Sequence, residues 1–162
     1  MIEPNQVIAG IWVVTLVAAA LSDLRSFRIS NGFPAVVILL FVTAYGFAGF
    51  SDALWQNLFH FLLALVVGMA LFGRGWIGGG DAKLYAAAAL WFGWTGAVTL
   101  IFLTGIAGLV LAIAFVAARM IGLRKNVAKE DRRIPYGVAI SAGAILSAVW
   151  GGWSTIFPAF SL

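Results

Sequence analysis

Asp23 and Asp81 are the residues of this 162-residue chain whose type and placement point most directly to chemistry. Each borders a long uncharged stretch, and a carboxylate at the edge of hydrocarbon is costly enough to count as a functional candidate. Asp81 follows Gly78-Gly79-Gly80, and glycines let backbone approach an extended peptide and leave its edge open for pairing. Two nearby carboxylates cannot both ionise easily, so they share a proton. The ionised one can take a proton from water while the protonated one polarises a peptide carbonyl. That is the chemistry of an aspartic peptidase. Taken singly, each residue has a plainer reading. Asp23 could pair with Arg25 or Arg28 at a helix end, and Asp81 could be the N-cap of a helix beginning at Ala82. The two together, beside a glycine run, fit a catalytic pair better. Glu3, Asp52, Glu130 and Asp131 fit solvated roles.

The elements that must position this pair belong to a membrane. Of the residues, 63% are hydrophobic and only 10% charged, against about a quarter charged in an ordinary soluble domain. A soluble chain of this size has too little interior to hide that much apolar side chain, and disorder needs the opposite composition. A mean hydropathy of +1.05 agrees with a polytopic membrane protein. There is no cysteine, which excludes a disulfide framework, a thiolate zinc site and a cysteine nucleophile. The net charge of +4 reads as a topological signal rather than as a nucleic-acid surface, because of where the cations lie.

Uncharged stretches run over 4–22, 29–51, 53–73, 84–118 and 134–162. A helical crossing takes about 20 apolar residues, so four of these supply one crossing each. The 84–118 stretch divides at Gly93-Trp94-Thr95-Gly96, which reads as a turn. The expected fold is an all-α, polytopic helical bundle of about six transmembrane helices in one domain over 1–162. Parity supports the division. All ten Lys and Arg then fall in the first, third and fifth loops: Arg25 and Arg28; Arg74 and Lys83; and Arg119, Arg124, Lys125, Lys129, Arg132 and Arg133. The positive-inside rule makes those loops cytoplasmic and turns both termini outward. The N-terminal stretch has Glu3 and no cation, unlike a cleavable signal peptide with a basic n-region.

The fourth helix, from about Asp81 to Gly93, is short. It reaches about 20 Å, less than a hydrocarbon core of about 30 Å. Asp81 is therefore expected below the cytoplasmic headgroups, with the glycine run as non-helical backbone in a polar, water-accessible notch. Ala64 with Gly68, and Ala144, Ala148 and Gly152, have the small-residue spacing of close helix contacts. Trp55, Trp76, Trp94 and Trp153 lie near span ends, as in an aromatic belt.

At the aspartates the sequence resembles the type IV prepilin peptidases. The segment from Asp23 through Arg28 and Ile29 to Asn31 looks like their D-x-x-x-x-R-x-I-x-N stretch, and Gly78 to Leu84 matches G-x-G-D-x-K-L. Ile134-Pro135-Tyr136-Gly137 resembles their late I-P-Y/F-G element. The three occur in the family's order and spacing, so the resemblance covers nearly the whole chain, and its short length looks like the single-domain form of tight-adherence (Flp-type) pili. The resemblance implies Asp23 and Asp81 as catalytic aspartates and Gly78 and Gly80 as shapers of the active-site loop. Arg28 and Asn31 would brace the first loop, and Lys83 would tune Asp81, anchor to headgroups or position substrate. Pro135 and Gly137 would set the start of the last helix.

The implied reaction is removal of a short basic leader, which a hydrophobic helix follows, from a prepilin at the cytoplasmic face of the bacterial inner membrane. Longer members carry an N-terminal domain with paired C-x-x-C motifs and also methylate the new N-terminus. This cysteine-free chain, which starts with a span, is expected to be a peptidase without methyltransferase activity, without S-adenosylmethionine or another cofactor, and without metal. The expected partners are the prepilin, lipids including anionic headgroups that contact the basic fifth loop, and pilus-assembly proteins, but no nucleic acid.

Two other classes compete. In a small ion- or proton-coupled transporter, Asp23, Asp81 and Lys83 would form a relay at a broken helix, but the carboxylates gather at one face and no inverted repeat is evident. A noncatalytic subunit of a pilus or secretion assembly would tolerate loss of either aspartate. His60 is the lone imidazole, and mid-span it reads as a hydrogen-bonded core residue rather than a relay or metal ligand. No G-x-S-x-G, H-E-x-x-H or G-K-[ST] pattern supports another enzyme class.

Overall fold

A computed structural model describes residues 4–48, 53–121 and 134–151. They form six helices: α1 (Pro4–Ser26), α2 (Gly32–Ala48), α3 (Ala53–Gly73), α4 (Gly79–Phe92), α5 (Ala97–Met120) and α6 (Tyr136–Gly151). There is no strand among the described residues. The all-helical, six-helix expectation from charge spacing matches. Three helices contain windows long and apolar enough to cross a membrane, Gln6–Ser26, Leu54–Gly73 and Ala97–Ala118; α2 and α6 are shorter apolar helices. The cations at 124, 125, 129, 132 and 133 lie outside the described residues, as do Glu3, Asp52, Glu130, Asp131, Gly152 and Trp153.

Each junction at the end carrying the aspartates has a local cause. The last turn of α1 closes with the Phe27 amide donating to the Asp23 carbonyl at 2.9 Å, and Phe27 then takes φ +49°. A left-handed non-glycine residue costs about 1–2 kcal/mol. The next residues are tied down by the hydroxyls of Ser22 and Ser26, both donating to the Arg28 carbonyl at 3.2 Å. The α3 terminus is a glycine cap. Gly75, at φ +73°, donates to the Phe72 carbonyl at 2.8 Å, and Trp76 donates to Leu71 at 3.1 Å. Those two bonds satisfy carbonyls that the helix end would leave open. At the opposite end, Gly93 leaves α4 at φ +55° and the Gly96 amide donates to Phe92 at 3.0 Å. The turn read at 93–96 is therefore present.

The centre of the bundle is α4. It packs against α2, α3, α5 and α6, and it reaches α1 through Trp12, whose ring lies 5.8 Å from Trp91 and 6.3 Å from Phe92. Its residues Ala86, Ala87, Ala88 and Ala89 are fully buried. Short side chains let neighbouring backbones close in. A Cβ on Gly68 of α3 would meet the Ala82 Cβ at 3.0 Å, so Gly68 does mark a tight helix contact. At the end away from the aspartates the packing is aromatic: Trp91 stands edge-on to Phe41 at 5.5 Å, and its Nε1 donates to the Val37 carbonyl at 3.1 Å. Trp55, Trp76 and Trp94 are exposed near helix ends, as an interfacial belt requires.

The structure corrects the start of α4. Gly79 and Gly80 are its first helical residues, and Gly78 is the N-cap in extended conformation (φ −72°, ψ 145°). The glycine run is thus mostly helix, and Asp81 sits in the first turn rather than capping a helix from Ala82. The reason is that the carboxylate of Asp81 can reach back to the N-cap amide, which satisfies one of the free donors of a helix start. At 14 residues α4 is about 21 Å long, close to the expected length.

Candidate active site

Asp23 ends α1 and Asp81 begins α4, so an antiparallel bundle returns both to one end. The C-terminal ends of α1 and α3 and the N-terminal ends of α2, α4 and α6 meet there. Three long-range contacts fix the arrangement. The Gly137 amide donates to Asp23 Oδ2 at 2.7 Å, and the Val138 amide also faces that carboxylate. Lys83 Nζ donates to Asn31 Oδ1 at 3.0 Å. Ile29 is wedged between the two glycine-bearing helix starts: a Cβ on Gly80 would lie 2.9 Å from its carbonyl oxygen, and one on Gly137 would lie 2.5 Å from its Cδ1. A side chain on Gly80 would displace the loop that follows Asp23, whereas one on Gly137 would press on the flexible end of Ile29 and on the Asp23 carboxylate, 2.9 Å away.

The two carboxylates differ in setting. Asp23 is only 4% exposed, and a buried carboxylate is tolerated when amide donors meet it. Its bond goes to the first turn of α6, whose free amides carry partial positive charge. Asp81 is half-buried and accepts the Gly78 amide at 3.2 Å. Only half of a reciprocal capping pair forms, because glycine has no side chain to return the bond. The two aspartates are near enough for their charges to act on one another. Two carboxylates so placed do not ionise together easily, and such a pair can share a proton.

The other residues singled out in the sequence divide clearly. Gly78 supplies its amide to Asp81, and Gly80 gives clearance for Ile29. Asn31 and Lys83 form one bond that ties the loop after α1 to α4. Arg28 contributes its backbone carbonyl to the two serines while its side chain is exposed. Asp23 bonds to α6, not to Arg25 or Arg28. Gly78, Arg28, Asn31 and Lys83 are exposed around the site, whereas Asp23 is buried. His60 is 3% exposed and lies beside the backbone of Ala89 and Gly93.

Sequence reasoning missed one functional contact. It gave Pro135 and Gly137 a role in starting α6, whereas Gly137 is also the direct donor to Asp23. The available signal was a glycine two residues after a proline at a helix start. A donor to a carboxylate 114 residues earlier leaves no mark in local periodicity.

The description "Type IV leader peptidase family" belongs to a family model that matches residues 10–113 of this chain. The match contains both aspartates and stops before Gly137. A relative described as "Prepilin leader peptidase/N-methyltransferase", from Legionella pneumophila, is 27% identical over 118 residues. The aligned part is 72% of this chain and 36% of the relative, so the chain spans about a third of that protein's length. No solved structure matches the chain. The chain belongs to the type IV leader peptidase family.

Proposed function

We propose that this member of the type IV leader peptidase family is a membrane-embedded aspartic endopeptidase that removes the short basic leader from prepilins of the Flp type. The observation that carries this reading is the convergence of Asp23 and Asp81, from helices far apart in sequence, onto one end of the bundle with a glycine amide on each carboxylate. One aspartate, ionised, takes a proton from the bound water as the water oxygen attacks the scissile carbonyl carbon. The other, protonated, donates to the carbonyl oxygen. The resulting tetrahedral diol collapses when the C–N bond breaks. The proton just accepted passes to the leaving nitrogen, and one diol hydroxyl returns a proton to the other aspartate. Water is consumed, two peptide ends form, and the pair regains its single shared proton.

The basic loops favour a cytoplasmic site, outward termini and the bacterial inner membrane as location. The absence of cysteine favours peptidase activity without methyl transfer by this chain. Anionic headgroups suit the cations of the fifth loop, and pilus-assembly proteins are further candidate partners. The experiment is leader cleavage in reconstituted bilayers with a Flp-type prepilin, followed by product mass. Wild type is expected to shorten the prepilin by its leader and add no methyl group. Asp23→Asn and Asp81→Asn are each expected to be inactive, and the double variant no worse than either, because the pair acts as a unit. Cleavage surviving in a folded single variant would sink the paired-aspartate mechanism.

A further inference from the structure

A cavity of about 730 Å³ runs beside α4 between α3 and α5, and Asp81 lines one end of it. Its floor is Ala82 and Tyr85 of α4 with Ala139 and Ile140 of α6; Trp94 marks the far end. The rim residues Val67, Val98 and Ile101 are 49%, 77% and 60% exposed, so the cavity opens sideways, where hydrocarbon would lie. From Asp81 to Trp94 the floor helix and its turn span about 20 Å. We propose that this lateral cavity seats the transmembrane helix of the substrate and delivers the helix end to Asp81, an inference that rests on the peptidase reading above.

The physical case is one of backbone accounting. A chain arriving from hydrocarbon must satisfy its own amides and carbonyls, so it arrives helical. The cavity suits a helix: on the α5 wall Gly105 presents no side chain and permits close approach. Gly105 has nothing within 4 Å of where a Cβ would stand. Hydrolysis needs the helix end opened, which frees backbone groups that hydrocarbon leaves unpaired. Three residues of the lining, Tyr85, Thr104 and His60, each carry a polar atom (Oη, Oγ1 and Nδ1) buried just behind the wall without a hydrogen bond, so a small turn of these side chains would present a partner to an opened helix end. Tyr85 is four residues beyond Asp81, hence on the same helix face one turn away. An acyl chain in the same space would use none of these groups, and its end would offer Asp81 nothing to cleave.

The test uses the whole protein in bilayers with a full-length prepilin as probe. A benzophenone-bearing residue at position 98, in the rim, is compared with one at Leu109, which is 62% exposed on α5 and outside the cavity. Asp81→Asn in the same chain holds the prepilin uncleaved. Position 98 is expected to yield a prepilin adduct mapping to its apolar helix, and position 109 is not. In the active protein, Gly105→Leu fills the cavity and is expected to raise KM about tenfold with kcat kept. Adducts at position 98 with lipid or with a second copy alone, while wild type cleaves, would overturn the cavity assignment and leave the peptidase reading standing. An unchanged KM in folded Gly105→Leu would do the same. A wild type inert toward every prepilin would overturn both.

Discussion

Helices α4 and α5 are neighbours of opposite character. α5 is 24 residues long, and only 6% of its apolar window is buried inside the protein. α4 has 14 residues, carries Asp81 and Lys83, and is buried over most of its length. In water the more apolar helix would be the interior one. Here hydrocarbon is the solvent, so bulk apolarity marks the outside, and the interior is specified by close fit among small side chains. The helix that carries Asp81 is the less apolar one. It can be short because other helices, not lipid, surround it.

That contrast can be attacked by substitution. The largest effect is expected at Gly80→Ala. Alanine is the better helix former by about 1 kcal/mol, so any loss must come from the contact its Cβ makes with the Ile29 carbonyl, 2.9 Å away. A displacement of the Asp23 loop of this kind is expected to lower leader cleavage about 100-fold, read as kcat/KM in bilayers; an unchanged rate would mean that the loop yields freely. Next is Ala87→Leu in the buried run of α4. Overpacking there is expected to cost about 1–3 kcal/mol, measured by denaturant unfolding in a fixed detergent. Lys83→Met removes the bond to Asn31. The pair is exposed, so the expected loss of stability is at most about 1 kcal/mol. Smallest is Val110→Leu on α5, 60% exposed, expected within about 0.5 kcal/mol of wild type. If Val110→Leu proved as costly as Ala87→Leu, α5 would have a protein partner covering it, and the contrast between the two helices would need redrawing.

Much of this is legible in the sequence. Charges placed at the ends of apolar stretches gave six helices, because a cation is expelled from hydrocarbon whatever the tertiary fold. The 93–96 turn was legible because a glycine on each side of a two-residue step is a local signal, and Gly93 does take a positive φ. The two aspartates stood out through the cost of a carboxylate at the edge of hydrocarbon and through the glycine run before Asp81. What escaped was anything fixed by contact across the bundle. The helical state of Gly79 and Gly80 depends on Asp81 reaching back to Gly78, a side-chain choice that residue propensity disfavours. The Asn31–Lys83 bond crosses 52 residues, and the partner of Asp23 lies further away still. Nor did hydropathy distinguish the lipid-facing side of α3 and α5 from the cavity wall, since both are apolar and only polar atoms left unpaired set the wall apart.

The bond from Gly137 to Asp23 joins the last described helix to the first, and that has a consequence in time. A ribosome builds the chain from its N-terminus, and at about 5–20 residues per second the amide that holds Asp23 is made on the order of ten seconds after Asp23 itself. Both aspartates and the helices bearing them exist well before that. Until α6 arrives, one carboxylate of the pair has no fixed seat. The newborn chain therefore carries both aspartates for seconds before the contact that seats the first of them can form.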